Sequence, residues 1–590
     1  MKKFITKTVS LKAYFKFTFI LSIIACAALL FDYGFQKTID IEVNLVVFYQ
    51  VTLSFGVLAV VLRLLRMAHK PKIPVFLFDT LSTLYTLMII VNQLIHLLGK
   101  VDYNFLHHDT WLSLAVFLMF IREFSEIRIQ YKRTLLNPAQ LFILSFLFII
   151  LVGALLLKLP LATSHGINFL DALFTSTSAV CVTGLIVVDT ATAFTQFGQT
   201  ILMILIQVGG LGILTFASYF SFFFKGKSSY ENQLTLSEIT NAKRLSEVFS
   251  TFKRIIIITF GIEILGALLI YFNLNKHDFS HAGDQLFFAV FHSISAFCNA
   301  GFSTLSDGIA DNHFKFNYGF QMILISLFIL GGLGFPIFSN VFTYTRRFVI
   351  RKLFFWRKKQ LENKPWVLNL NSRIILITTF FLIFFGTLFF LELEYDNTLA
   401  EHDSFYGKFV TALFGATTPR TAGFNTFDFG ALRFSTFMLI MFLMWVGASP
   451  GSTGGGIKTT TLAIATLNLL SIAKGKSRIE IYRREISMRT VQRAFAVISL
   501  SLMVIGFGIM LVSIFNPELT LKDIAFECFS AYSTVGLTVG ITAKLSSLSK
   551  IVIIVLMFVG RVSMLSILIA LFKRTKHKNY RYPMEEISIN

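Results

Sequence analysis

The sequence predicts an all-α polytopic membrane protein with four helix–re-entrant helix–helix repeats in a pseudo-fourfold arrangement around a central pore. Composition is the first observation: 55% of the 590 residues are hydrophobic, 14% are charged, and Phe occurs 68 times. Apolar runs of about 20 residues in such a chain are typical of membrane helices. The second observation is a short segment that recurs four times, as TSTSAVCVTGL, HSISAFCNAGF, FGATTPRTAGF and CFSAYSTVGL. Recurrence of one unit indicates a repeat architecture.

About twelve membrane spans are predicted. They lie near 12–31, 44–63, 74–98, 109–121, 139–159, 198–224, 253–274, 316–345, 370–393, 433–470, 487–514 and 547–573. Basic residues crowd alternate connections, for example 346–364 and 474–493, and the remaining connections are acidic or mixed. The positive-inside rule therefore predicts both termini in the cytoplasm and the four recurring segments outside. We expect a multi-pass protein of the cytoplasmic (inner) membrane.

This topology explains most of the basic charge behind the net charge of +21. Basic segments beside membrane helices are compatible with binding of anionic membrane lipids, and we expect no nucleic-acid partner. The four Cys residues lie within or beside apolar segments and indicate no disulfide framework. The basic N-terminus leads into an apolar helix without a cleavage motif, so we interpret it as a retained first span.

Two regions are predicted. Residues 1–134 form a four-span membrane region without the repeat, and residues 135–590 form a four-repeat core with units at about 135–235, 245–350, 365–475 and 485–580. Each unit contains a re-entrant helix, near 168–180, 284–297, 405–418 and 520–531, that is too short to cross a bilayer. Irregular backbone at membrane depth is tolerated where it is buried in protein or lines a water-filled path, so the four loops after these helices predict a pore.

The loops predict a site for a desolvated monovalent cation. Each contains a Gly, which tolerates positive φ and lets successive carbonyl oxygens face an axis, where they replace hydration water. No loop supplies a ring of acidic residues, which argues against a divalent cation. Side chains six residues before each Gly (Ser178, Ser295, Thr417 and Ser530) are expected to hold the loops. The predicted ion-binding residues are Val182, Thr183, Gly184, Asn299, Ala300, Gly301, Thr421, Ala422, Gly423, Thr534, Val535 and Gly536.

A Gly-rich sequence, GASPGSTGGGIKTTT from Gly447, interrupts the third repeat. It departs from a phosphate-binding loop because Ile457 separates the last Gly from Lys458, and it follows a membrane helix rather than a strand. Gly and Pro at this density cannot hold a regular helix. Arg561 is predicted about 12 residues from either end of its helix, too deep to reach water easily, with carbonyls of the Gly-rich sequence as its partners.

Other Gly-rich sequences recur in the second long helix of each unit, from Gln207, Leu330, Val446 and Val559. Close helix packing would explain any one of these Gly-rich sequences taken alone. Their similar distance in sequence from the Gly-containing loops favours a shared structural role near the pore.

These motifs resemble the Trk/Ktr/HKT superfamily of potassium transporters. The resemblance is carried by CVTGL, CNAGF, RTAGF, TVGL, GASPGSTGGGIKT and a Gly-Arg pair, and it covers about 135–590. It implies potassium ion as substrate, bound at the filter carbonyls, no cofactor and no enzyme activity, a homodimer, and a cytosolic nucleotide-binding regulatory ring as partner. It also assigns a gating role to Gly447, Pro450, Gly451, Gly454, Gly455, Gly456, Lys458 and Arg561.

Alternatives stay open at this point. Plant relatives with Ser at the first filter Gly are associated with sodium transport; Gly184 favours potassium, and a sodium-transporting member of the superfamily is an alternative. A second alternative is the potassium-translocating subunit of an ATP-driven pump. A membrane enzyme is disfavoured because His292 is a lone histidine, interpreted as a hydrogen-bonded core residue. A voltage sensor is disfavoured because Arg63 and Arg66 lie at a helix end, where basic anchors are expected.

Overall fold

The computed structural model describes residues 2–66, 73–97, 109–125, 138–212, 245–275, 279–353 and 368–571. The predicted basic segments around 225–244 and 354–364 and the basic tail from Lys573 lie outside these ranges. The described residues are mostly helical, as the composition predicts. Their strands are the antiparallel pair Glu480–Ile481 and Arg484–Glu485.

Four helices precede the repeats. Their bounds are Lys2–Gly34, Ile39–Arg66, Ile73–Leu97 and Asp109–Ser125. They share an apolar core that includes Ala25, Tyr49, Leu53, Ile89 and Ala115. The first helix also contacts the repeats, because Tyr33 stacks on Phe197 with ring centroids 5.9 Å apart.

This N-terminal bundle contains buried ion pairs. Arg63 Nη2 lies 2.5 Å from Glu123 Oε2, and Arg122 Nε lies 2.5 Å from Asp79 Oδ1. The Thr18 hydroxyl also donates to Glu123. Arg63 lies near the end of its helix, as expected. It is not an exposed basic anchor, however, because its guanidinium is buried in the bundle and paired with an acidic residue on the fourth helix.

We expect Glu123→Gln to destabilise the protein by about 3 kcal/mol, because removing one partner leaves the other charge buried and unpaired. The matched control is Glu485→Gln, which breaks an exposed Arg478–Glu485 pair with a 3.6 Å separation and should cost less than about 1 kcal/mol. Thermal unfolding of the purified protein in detergent measures both. Equal shifts for the two variants would contradict a structural role for the buried pair.

The four repeats follow in chain order. The first comprises Pro138–Leu157, Phe169–Cys181 and Gln196–Leu211, and the second comprises Leu245–Asn273, Ala282–Cys298, Tyr318–Leu333 and Phe335–Leu353. The third comprises Leu370–Glu394, Phe405–Thr417, Phe434–Trp445 and Thr459–Ala473, and the fourth comprises Met488–Phe515, Leu521–Ser533, Ser547–Val562 and Met564–Leu571. Between them lie a short helix, Thr190–Ala193, and 3-10 turns at Pro160–Ala162, Gly308–Ala310, Thr398–Glu401, Phe429–Ala431 and Thr542–Lys544.

The short helix that follows the first long helix of each repeat is the predicted re-entrant helix. In Phe169–Cys181 every residue from Phe174 onward is buried, as expected for a helix surrounded by protein. Ser404 and Thr520 cap the N-termini of the third and fourth re-entrant helices by accepting hydrogen bonds from the backbone N–H groups of Gly407 and Asp523. The loops that follow the four re-entrant helices contact one another, so the C-terminal ends of these helices meet between the four repeats.

The helix after each re-entrant helix, here called the second helix, ends earlier than its predicted span. Positive φ at Gly212 (77°), Gly334 (81°) and Ser563 (73°) ends three of them, and in the second repeat the chain bends by 105° at this point. The prediction that 316–345 and 547–573 are each one continuous helix was therefore wrong. Apolar composition does not reveal a local change of backbone direction.

By length and apolar composition, five helices of the described residues can cross a membrane. The bent pair in the second repeat makes a sixth if it counts as one span. Shorter apolar helices of 10–17 residues include Phe169–Cys181, Gln196–Leu211, Phe434–Trp445 and Thr459–Ala473. Several predicted spans are thus pairs of half-length helices.

Candidate functional site

The four Gly-containing loops meet as a closed ring. We call residues 182–185, 299–302, 421–424 and 534–537 the Gly loops. A Cβ on Gly184 would come within 3.0 Å of the Ala300 carbonyl oxygen, and one on Gly301 would lie 3.0 Å from that of Ala422. A Cβ on Gly423 would overlap the carbonyl oxygen of Val535, and a Cβ on Gly536 would overlap that of Thr183. Each loop therefore contacts the next one, and the fourth contacts the first.

Backbone conformation makes this close approach possible. The four glycines have φ between 69° and 93°, where a side chain is strained. The residue two before each Gly also has positive φ, at Val182, Asn299, Thr421 and Thr534. Three of these residues are β-branched, for which this region is a genuine outlier. Strain of this kind is held by surrounding structure and concentrates at functional sites.

Hydroxyl groups on the re-entrant helices hold the loops. The Gly184 N–H donates to Ser178 Oγ (3.0 Å), the Gly536 N–H donates to Ser530 Oγ (3.1 Å), and Ser295 Oγ donates to the Phe302 carbonyl (2.8 Å).

In the third repeat Thr418, not Thr417, takes this role and donates to the Phe424 carbonyl at 2.6 Å. The Thr417 hydroxyl instead bonds carbonyls of its own helix. The alignment on Gly423 missed the shift because this loop is one residue shorter between its hydroxyl and its Gly.

The Gly-rich ends of the second helices pack against the C-terminal ends of the re-entrant helices, next to the ring. A Cβ on any of three of these glycines would overlap a carbonyl oxygen near the C-terminal end of the re-entrant helix in the same repeat. The pairs are Gly209 with Val180, Gly331 with Phe297 and Gly560 with Tyr532. Only Gly lets the two backbones come this close. In these three repeats the shared offset seen in the sequence thus corresponds to one backbone contact. In the third repeat the prediction of a common role does not hold at this detail, because a Cβ on Gly447 would meet the Gly455 carbonyl oxygen of its own Gly-rich sequence.

One face of the ring opens into a cavity of about 550 Å³. We call it the outer cavity because the sequence predicts the Gly loops on the outer side of the membrane. All four ring glycines line it, together with the acidic residues Asp307, Glu401 and Asp428 and one basic residue, Lys315. Lys315 is ion-paired with Glu401, which leaves a net negative lining. Sequence analysis did not single out these acidic residues, because they come from separate connections that only the fold brings together.

The other face of the ring contacts the Gly-rich loop, residues 447–456. The ends of this loop are adjacent, since Val446 and Ile457 form a β-bridge. Ser449 fastens the loop to the second repeat: its N–H and its hydroxyl donate to the Gly332 carbonyl at 3.0 and 2.9 Å. The Phe335 N–H donates back to the Gly451 carbonyl at 3.3 Å.

The Gly-rich loop touches two Gly loops directly. The Gly455 N–H donates to Thr534 Oγ1 at 2.9 Å, and Gly454 packs against Thr421 Oγ1 so closely that a Cβ would overlap it. Thr421 Oγ1 is also hydrogen-bonded to the Asn299 side-chain amide at 3.0 Å. The loop therefore lies immediately beneath the ring, on the side opposite the outer cavity.

Two cationic side chains bind carbonyls of this region. Lys458 Nζ donates to Gly454 and Gly455 at 2.6 and 3.3 Å. Arg561 donates to the Thr453 carbonyl and, at 2.6 Å, to that of Gly209. Arg561 is not in mid-helix as predicted: its helix ends one residue later, at Val562, so the guanidinium lies where the second helices break. It links the first repeat to the Gly-rich loop.

His292 is buried and hydrogen-bonded, which confirms its interpretation as a core residue: Nδ1 lies 2.9 Å from the Phe288 carbonyl and Nε2 lies 2.9 Å from Ser303 Oγ. Glu527, in the fourth re-entrant helix, is also buried, and sequence reasoning did not notice it. Among the described residues no group of three or more His, Cys, Asp or Glu side chains is arranged to hold a metal ion.

Comparison with known proteins gives matching results. Residues 123–581 match the TrkH family, described as cation transport proteins. The Ktr system potassium uptake protein B of Bacillus subtilis is 36% identical over 451 residues, 76% of this chain and 96% of that protein. The potassium/sodium uptake protein NtpJ of Enterococcus hirae is 35% identical over 464 residues, 78% of this chain and 98% of that protein.

Fold comparison agrees. The crystal structure of the potassium transporter TrkH from Vibrio parahaemolyticus superposes with a TM-score of 0.59 at 19% identity, covering 84% of this chain and 97% of that one. The matched relatives are ion transporters rather than enzymes, and the first 122 residues of the chain precede the family match. The chain belongs to the TrkH family of cation transport proteins.

Proposed function

We propose that the protein takes up potassium ions across the cytoplasmic membrane through the ring of four Gly loops. The observation that carries this proposal is the closed ring itself, in which the carbonyl oxygens of Thr183, Ala300, Ala422 and Val535 each lie against the Gly of a neighbouring loop. Carbonyl oxygens converging on one axis replace the hydration shell of a monovalent cation. The ion-binding residues are then the backbone groups at 182–184, 299–301, 421–423 and 534–536.

Electrostatics supports a cation rather than an anion. Each re-entrant helix directs its C-terminal end, the negative end of the helix dipole, at the ring. The net negative lining of the outer cavity raises the local cation concentration before entry. The relative in Bacillus subtilis, which is named as a potassium uptake protein, agrees with potassium as the ion.

The Gly-rich loop is the proposed gate. It occupies the exit side of the ring, where Thr534 and Ser449 hold it by hydrogen bonds. Lys458 and Arg561 donate hydrogen bonds to its uncharged carbonyls and keep their own charges, so the closed loop presents fixed positive charges where a cation must leave. Opening requires these bonds to break together.

The family resemblance extends the proposal to assembly. We expect a homodimer, with a cytosolic nucleotide-binding ring as regulator and anionic lipids along the basic segments. Residues 1–134 form an accessory membrane region and 135–590 the ion-translocating core. Both termini are then cytoplasmic, and the outer cavity faces the outside.

Sodium transport is the second candidate, because NtpJ of Enterococcus hirae is named as a potassium/sodium uptake protein. Gly at position 184, rather than Ser, favours potassium. An ATP-driven pump would require a partner ATPase, and its co-purification with the chain would favour that alternative.

The test is flux into liposomes containing the purified protein, driven by an imposed membrane potential, alone and with a cytosolic regulatory partner plus nucleotide. Potassium flux that exceeds sodium flux and follows the potential is the expected result. Equal flux of the two ions would favour the sodium alternative, and absence of cation flux with and without the partner would contradict the proposal.

A further inference from the structure

In the second and fourth repeats, a hydroxyl group just after the Gly loop is hydrogen-bonded to a buried side chain on the re-entrant helix of the same repeat. In the second repeat, Ser303, two residues after the ring Gly, hydrogen-bonds His292 at 2.9 Å. In the fourth repeat, Thr538, also two residues after the ring Gly, donates to Glu527 Oε1. His292 and Glu527 occupy the same repeat position, nine residues before their ring Gly.

The buried partners act as acceptors. The only acceptor beside His292 Nδ1 among the described residues is the Phe288 carbonyl, so Nδ1 carries the proton and Nε2 accepts from the Ser303 hydroxyl. Glu527 Oε1 accepts a second hydroxyl, from Thr542 at 2.8 Å, and no described cationic side chain pairs with this carboxyl. Both acceptors are wholly buried. Without Ser303, His292 Nε2 would be left as an unsatisfied polar atom, whereas Glu527 Oε1 would keep one of its two hydroxyl donors.

The other two repeats lack this contact. In the first repeat the equivalent helix residue, Thr175, donates to the Asp171 carbonyl of its own helix, and the loop carries Ile186 at the outer edge. In the third repeat Asn425 instead donates to the Asp307 carbonyl of the second repeat. Ring order places the second and fourth repeats across the axis from each other.

We propose that the His292–Ser303 and Glu527–Thr538 hydrogen bonds are two opposed braces that set the width of the ring at its outer mouth and thereby its preference for potassium over sodium. The inference rests on the proposed function. Ser303 and Thr538 line the outer cavity, directly beyond the ring glycines, so each bond ties the cavity-facing end of a loop to a rigid helix. Without it the loop can close around the smaller ion, and the carbonyl positions no longer discriminate.

The experiment compares Ser303→Ala, Thr538→Val and the double variant in liposomes, with potassium and sodium flux measured at one imposed potential. We expect the potassium-to-sodium ratio to fall about threefold in each single variant and about tenfold in the double variant. Ser303→Thr and Thr538→Ser keep the hydroxyl and should restore most of the ratio. The matched control is Thr175→Val, which removes a buried hydroxyl at the same depth without touching a loop.

The outcomes distinguish failure of the two braces from failure of the proposed potassium uptake. Wild-type selectivity with an unchanged ratio in the folded double variant would overturn the braces and leave the proposed function intact. An equal loss in Thr175→Val would also overturn them, because the effect would then come from the helix. A wild type that prefers neither ion would overturn both. A loss confined to the brace variants and rescued by the hydroxyl-keeping ones supports the inference.

Discussion

Gly184→Ser is expected to abolish most of the preference for potassium over sodium, reducing the ratio of the two fluxes at least about tenfold, which corresponds to about 1.4 kcal/mol. The structure gives the reason. Gly184 has φ of 93°, and a Cβ there would overlap the Ala300 carbonyl oxygen of the neighbouring loop. The substitution therefore displaces a carbonyl of the second repeat as well as straining the first. Flux of each ion into liposomes under one potential measures the effect.

Gly166→Ala is the matched control. Gly166 also has positive φ, at 77°, but a Cβ there would meet nothing within 4 Å. It carries the same backbone strain, of about 1–2 kcal/mol, without the clash. We expect its selectivity to stay at the wild-type level. If both variants lost selectivity equally, backbone strain rather than carbonyl displacement would be responsible; if neither did, the ring would not be the selectivity filter.

The repeat architecture and the re-entrant helices were predictable because their signals are local. Apolar runs, four matched segments and a Gly at the same place in each are all readable from the sequence. The re-entrant helix predicted near 168–180 is Phe169–Cys181, and the one predicted near 520–531 is Leu521–Ser533. Helix ends defined by a left-handed residue, such as Val182 and Thr534, fall within one or two residues of expectation.

Features that depend on contact between distant segments were not predictable. The Arg63–Glu123 pair joins helices 60 residues apart, and the acidic outer cavity combines three separate connections. Arg561 was recognised as buried, but its position at a helix break depends on the positive φ of Ser563, for which an ordinary Ser gives no signal. Thr418 was missed because one loop is a residue shorter than the others.

Glu527 illustrates a different limit. A carboxyl inside an apolar helix is normally a strong functional signal, yet Asp523, Lys522 and Glu527 together resemble the polar first turn of an exposed helix. Only the burial of Glu527 and its two hydroxyl donors separate it from such a turn. Burial within a re-entrant helix cannot be read from hydropathy, because these helices are shielded by protein and not by lipid.

Deletion of 450–456 is expected to raise basal cation flux about tenfold or more while leaving the potassium-to-sodium ratio unchanged. A gate whose open state is populated at a few per cent would give an increase of this size when removed. Flux without regulatory partner or nucleotide is the measurement, and the ratio of the two ions reports whether the ring above is intact.

Thr534→Val tests the same gate with a single contact. It removes the acceptor for the Gly455 N–H and keeps the length of the loop, while Ser449 still holds the opposite end. Its flux should lie between those of the wild type and the deletion, since one hydrogen bond contributes about 1 kcal/mol or a few-fold in population. A deletion variant that stays folded, as judged by thermal unfolding, and conducts no faster than the wild type would exclude the Gly-rich loop as the gate. In that case the fixed charge of Arg561 would be the remaining barrier beneath the ring, and Arg561→Gln would then be the variant that raises flux.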